Sequence, residues 1–138
     1  TASLPILLEK IGDRAFAETG LKSVSIPKSV YWLGEEVFAN CAVMDNVMLP
    51  ENITEISKGM FEGCTSLKKF SLHEKLERIG DRAFCGCSSL DFIIIPDSVT
   101  FIGENAFNGT DKQFIIQCSF GSYAEEYARK NKIKYQLV

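Results

Sequence analysis

The hexapeptide IGDRAF stands at residues 11–16 and again at 79–84. Three relatives complete the series: LGEEVF begins at 33, ISKGMF at 56 and IGENAF at 102, giving steps of 22, 23, 23 and 23 residues. A unit this short cannot bury an apolar face alone, so it must stack on its neighbours and share a continuous core with them. That requirement constrains the chain to a solenoid before any other feature is weighed.

The rest of each unit keeps register. Three residues beyond Phe16, Phe38, Phe61, Phe84 and Phe107 come Thr19, Cys41, Cys64, Cys87 and Thr110. An apolar triplet follows: Leu21, Val24, Ile26; Met44, Val47, Leu49; Leu67, Phe70, Leu72; Leu90, Ile93, Ile95. Its last two members stand two residues apart, the period that puts them on one side of a strand. Stacked units then form a parallel sheet with Val24, Val47, Phe70 and Ile93 one above another on its inner side. Pro27, Pro50 and Pro96 end their strands, since proline cannot donate to a ladder, and His73 takes that place in the remaining unit. The phenylalanine column reads as a stack of rings filling the other half of the core.

The pattern I-G-x-x-A-F-x-x-C-x-x-L-x-x-h-x-h-P-x-x-h (h apolar) runs from about Leu4 to Cys118 and resembles the BspA-type leucine-rich repeat. The resemblance implies a leucine-rich-repeat right-handed solenoid. Its concave face would carry the parallel β-sheet, and its convex side short turns or helical turns. It also implies a non-catalytic binding or adhesion role at the cell surface or in secreted form. The partner would be a protein or glycan, of the host-cell surface or extracellular matrix. Two departures stand out. Ser57 and Lys58 replace the Gly-Asp of the third hexapeptide, and the fifth unit has Gln113 for its leucine and Ser119 for its proline.

The expected organisation is one domain over residues 1–138. LPILLEK at 4–10 matches the back half of a repeat, so 1–10 is a partial unit, 11–121 holds about five repeats and 122–138 is a cap. This predicts the C-terminal part of a longer array, either a structural spacer or a segment that self-associates through an open N-terminal end. In the cap, Ser122 and Glu125 have capping-box spacing. Ala124, Tyr127 and Ala128 make an apolar helix face, Asn131 is a stop, and KIKYQLV alternates as a strand.

Several functions are disfavoured. A net charge of −3 supplies no basic field for nucleic acid. The apolar runs are too short for membrane insertion as a helix, and residues 1–10 lack the pattern of a signal peptide. Five cysteines cannot all pair within the chain. Cys41, Cys64 and Cys87 are spaced by the repeat and share a column with threonine, which predicts small buried side chains rather than a metal site; Cys85 and Cys118 carry no assignment. Asp13, Glu35, Lys58, Asp81 and Glu104 read as a solvated edge rather than a catalytic pair. His73, the only histidine, has no nucleophile beside it and is expected to be exposed at a strand end. No enzyme, metal or cofactor is expected.

The candidate site is the outward row of the sheet. Ser23, Ser25, Asn46, Met48, Lys69, Ser71, His73, Phe92, Ile94, Ile115 and Gln117 would face solvent there. Met48, Phe92, Ile94 and Ile115 are out of place among polar neighbours, and an exposed apolar patch marks an interaction site. The expected partner-binding residues are therefore Met48, Lys69, Ser71, His73, Phe92, Ile94 and Ile115.

Overall fold

The computed structural model describes residues 3–138. It is a β-solenoid of about six turns. Its strands are β1 (Lys10–Ile11), β2 (Ser23–Ser25), β3 (Trp32–Leu33), β4 (Asn46–Met48), β5 (Glu55–Ile56), β6 (Arg78–Ile79), β7 (Phe92–Ile94), β8 (Phe101–Ile102) and β9 (Ile115–Cys118). A helix, α1 (Tyr123–Lys130), and a last strand, β10 (Tyr135–Leu137), complete the chain. All strand pairs are parallel.

Each coil has three faces. The first carries the expected sheet: β2 pairs β4, and β7, β9 and β10 pair in the order β10-β9-β7. Val24 stands opposite Val47, and Ile93 opposite Ile116, on the core side. The second face is a sheet that the repeat pattern did not announce. It is built on the first residue of each hexapeptide and the one before it: β1 pairs β3, and β5, β6 and β8 pair in sequence. Ile11, Leu33, Ile56, Ile79 and Ile102 point inward from it and are buried.

The third face is a column of turns. Two residues per turn take the left-handed conformation, for example Glu36 and Asn40 (φ 53° and 59°) and their counterparts Gly59 and Gly63 (φ 63° and 77°). This geometry aims alternate N–H groups along the solenoid axis. Glu36, Phe38 and Asn40 donate to the carbonyls of Lys58, Met60 and Glu62 at 2.7–3.0 Å, and the pattern recurs between every pair of neighbouring turns here. Inside lies the expected ring stack. Phe16, Phe38, Phe61, Phe84 and Phe107 follow one another with centroids 5.4–5.8 Å apart and planes within 17°. Phe114, one place beyond Gln113, continues it at 5.2 Å.

The cap closes the stack. The Ser122 hydroxyl accepts from the Glu125 N–H at 3.2 Å, while the Glu125 carboxylate reaches back to the Gly121 N–H at 2.8 Å. The expected face of Ala124, Tyr127 and Ala128 meets the core. The Tyr127 hydroxyl donates to the Gly103 carbonyl at 3.0 Å, and its ring lies edge-on to Phe107. The final strand is shorter than KIKYQLV, covering Tyr135–Leu137.

Both sheets are interrupted at one level. No ladder joins β4 to Lys69–Leu72, and none joins β3 to β5. The second interruption has a cause in the third hexapeptide. At Gly34 an added Cβ would lie 2.6 Å from the Asp13 nitrogen of the preceding coil, and at Gly80 it would lie 2.7 Å from the Lys58 nitrogen. The glycines thus permit close approach, and their N–H groups donate across it: Gly34 to Ile11, Gly80 to Ile56 and Gly103 to Ile79, at 2.7–2.9 Å. Ser57 occupies the same position with a Cβ that must be accommodated. Its hydroxyl, rather than its N–H, donates to the preceding coil, reaching the Leu33 carbonyl at 2.8 Å. The turn face remains stacked there, so a seam opens on the two sheet faces alone.

Candidate functional site

On the first sheet, the register sets Phe92 beside Ile115, Ile94 beside Gln117, and Ser71 beside Ile94. Extending these registers past the paired residues puts Lys69 at the level of Phe92 and Lys134 at that of Ile115, and the Lys134 carbonyl accepts from the Ile116 N–H at 3.0 Å. Ile94 is 51% exposed, while Phe92 and Ile115 are half-buried against each other. An apolar patch of three side chains is thus bordered by lysines at both ends, with Ser71, Gln117 and Gln136 along one edge. Gln117 donates to Gln136 at 3.0 Å, which holds that edge in place.

Two expected site residues lie apart from this patch. Met48, 62% exposed, is on the far side of the seam, where it lines a cavity with Ile26, Pro27, Leu49 and Pro50. His73 is half-buried rather than exposed, which corrects the expectation from its position at a strand end. Its Nδ1 accepts from the Lys75 N–H at 3.3 Å, and its buried Nε2 has no partner. Its carbonyl accepts from the Leu76 N–H at 3.1 Å, as the Pro27, Pro50 and Pro96 carbonyls accept from Val30, Ile53 and Val99 in the other coils.

The acidic column is also more than a solvated edge. Asp13 accepts from the Glu35 N–H at 2.8 Å, and Asp81 from the Glu104 N–H at 2.9 Å. Each aspartate of IGDRAF therefore fastens the following coil. Lys58 cannot accept such a bond from the coil that follows it, so the column lapses one junction beyond the seam.

The cysteine column is buried and free of disulfides, and the thiols act as donors rather than only as small apolar groups. Cys41, Cys64 and Cys87 reach the carbonyls of Phe16, Phe38 and Phe61 in the preceding coil at 3.0–3.1 Å. Thr19 and Thr110 instead bond the phenylalanine carbonyl of their own coil. Burial pushes the Cys64 thiol up to about 12 and the Cys87 thiol up as well, so both stay protonated and unreactive near neutrality. Among the described residues, no group of three or more His, Cys, Asp or Glu side chains is placed to hold a metal ion.

The second sheet shows a surface that the sequence reading missed. Trp32 is 47% and Tyr31 52% exposed on it. The Lys10 ammonium lies 5.8 Å from the Tyr31 ring centre, and the Arg78 guanidinium 4.2 Å from that of Phe101. A cavity of about 600 Å³ opens beside Trp32 at the seam, bounded by Glu35, Glu55, Ser57, Lys58 and Arg78.

The family model for the BspA type leucine-rich repeat region matches residues 1–132 in six copies. Among solved structures, a leucine-rich cell surface protein from Faecalibacterium prausnitzii is 35% identical with a TM-score of 0.81, the match covering 91% of this chain and 33% of that one. A leucine-rich repeat protein from T. pallidum is 29% identical with a TM-score of 0.75, covering 80% and 52%. One from Bacteroides ovatus is 27% identical with a TM-score of 0.76, covering 97% and 38%. This chain therefore matches about half or less of each of those longer chains. Comparison with curated proteins gave no match.

Proposed function

The chain belongs to the BspA-type leucine-rich repeat family, and from that premise we propose that it is a non-catalytic interaction module binding a protein partner through the first sheet. The observation that carries this reading is the patch of Phe92, Ile94 and Ile115 between Lys69 and Lys134, on a face whose other outward residues, Met48 apart, are polar. Exposed apolar groups ringed by polar ones are the usual anatomy of an interface. The lysine rim favours a partner segment that sets acidic residues around an apolar centre. A cell-surface location accords with the description of the Faecalibacterium protein. Among the described residues no helix is long and apolar enough to cross a membrane.

The test compares the parent with the Phe92→Ser/Ile94→Ser variant in pull-downs from a host-cell surface and matrix extract. Both side chains lie on the outward side of the sheet, so the variant is expected to keep the parent circular dichroism spectrum. The proposal expects a partner captured by the parent and lost, by at least about tenfold, with the variant, in keeping with the dominance of a few interface residues. Equal capture by both proteins would contradict it. So would capture by neither, which would favour a spacer in a larger surface protein.

A further inference from the structure

We propose that the seam on the second sheet is a separate binding site for a neutral sugar residue of a glycan chain. The cavity of about 600 Å³ beside Trp32 adjoins one of about 190 Å³, and Trp32, Leu33, Glu55 and Ser57 line both. Individual cavities of some hundreds of Å³ are of the size that holds small ligands. Three features of the lining select the ligand's chemistry.

The first is the indole itself. Trp32 is about half exposed and stands at the mouth of the opening, a flat apolar plate against which the C–H face of a pyranose ring lies well. The second is the interrupted ladder. Between β3 and β5 no ladder forms; the Leu33 carbonyl takes the Ser57 hydroxyl across the seam, and the Ser57 N–H makes no backbone bond there. Backbone N–H and C=O groups left in this way need other partners. A sugar hydroxyl both donates and accepts, so a ring bearing several of them suits an edge where donors and acceptors alternate.

The third feature is charge. Asp13 and Asp81 are occupied by the N–H groups of Glu35 and Glu104. With Glu35 and Glu55 the lining holds four carboxylates against the two cations Lys58 and Arg78. Glu55 and Arg78 are already within 4.0 Å of each other, and Arg78 also covers the Phe101 ring. An anionic sugar would meet this excess of carboxylates, whereas a neutral polyol can donate its hydroxyls to them and accept from Lys58 and Arg78.

Trp32 is the only tryptophan in the chain, so its fluorescence reports on this opening directly. The experiment titrates the protein with maltotetraose, cellotetraose, chitotetraose and mannotetraose, and separately with the anionic tetragalacturonate, following tryptophan emission. Saturable change with at least one neutral oligosaccharide is expected, at a Kd of about 1 mM or tighter, with none for tetragalacturonate. The Ser57→Gly variant, which restores the residue found at Gly34, Gly80 and Gly103, closes the ladder and should lose the response while keeping or raising the midpoint of thermal unfolding. No saturable change with any of the four sugars would overturn the proposal. So would a response to tetragalacturonate alone, or one that persists unchanged in Ser57→Gly. The Phe92→Ser/Ile94→Ser variant is expected to respond like the parent, which separates this site from the first sheet.

Discussion

Replacing Phe61 with alanine is expected to cost about 3–5 kcal/mol, the largest loss of any single truncation in the core. Phe61 is fully buried. It stacks on Phe38 at 5.6 Å and Phe84 at 5.4 Å, and meets Phe70 at 4.9 Å with a tilt of 58°. No smaller side chain in this column can reach all three neighbours, and the tightly stacked turns on either side limit collapse into the void. Because a solenoid is held by interfaces between adjacent coils, a loss at the middle coil weakens two of them. A domain stability of about 5–15 kcal/mol would be largely consumed. Urea unfolding followed by far-ultraviolet circular dichroism measures the effect, with Phe16→Ala as the comparison. Phe16 ends the stack and is only half-buried, so its truncation should cost markedly less. Equal losses at the two positions would mean that the ring column is not what binds the coils.

Gly103→Ala is the second large effect, and here the damage comes from adding an atom. The new Cβ would stand 2.5 Å from the Asp81 nitrogen and 2.8 Å from its Cα, contacts that require the fourth and fifth coils to separate. Separation would strain three bonds that cross or cap this junction: Gly103 N–H to Ile79, Glu104 N–H to Asp81, and the Tyr127 hydroxyl to Gly103. Overpacking in a well-packed site usually costs about 1–3 kcal/mol, and the strained bonds place this case at the upper end or beyond. Gly12→Ala makes the control, since nothing lies within 4 Å of a Cβ there. It should change stability by less than about 0.5 kcal/mol, the ordinary range for an exposed substitution. Thermal unfolding of the two variants checks the contrast. Similar midpoints would mean that close approach, as read at Gly34, Gly80 and Gly103, does not govern the spacing of the coils.

The parts of this fold that were legible in the sequence are those repeated in residue type. The phenylalanine column, the strand triplets, the turn after each proline and the Ser122–Glu125 cap all recur or match a known local signal. The second sheet was hidden because each of its strands is two residues long, too short for an alternating pattern. Its outward positions, Lys10, Trp32, Glu55, Arg78 and Phe101, share no chemistry. The roles of Asp13 and of the thiols were hidden for another reason. Their partners are backbone groups of an adjacent coil, and no side-chain pattern announces a carbonyl. Within the proposed first-sheet site, the register of Phe92, Ile94 and Ile115 followed from the period, whereas the separation of Met48 did not. It depends on the seam. The signal for the seam was in plain view at Ser57 and Lys58, but its consequence needs the direction of the Cβ, which only the stacked coils reveal.

Residue-resolved hydrogen exchange on the native protein tests the central claim, that one departure from the repeat opens the stack at one level. Gly34, Gly80, Gly103 and Ser57 are the same position in four coils. The first three N–H groups are held by the coil before them and should exchange slowly, whereas the Ser57 N–H should exchange at a rate close to that of an open segment. Protection of Ser57 equal to that of the three glycines would show that the ladder is continuous in solution, and would remove the seam together with the site assigned to it.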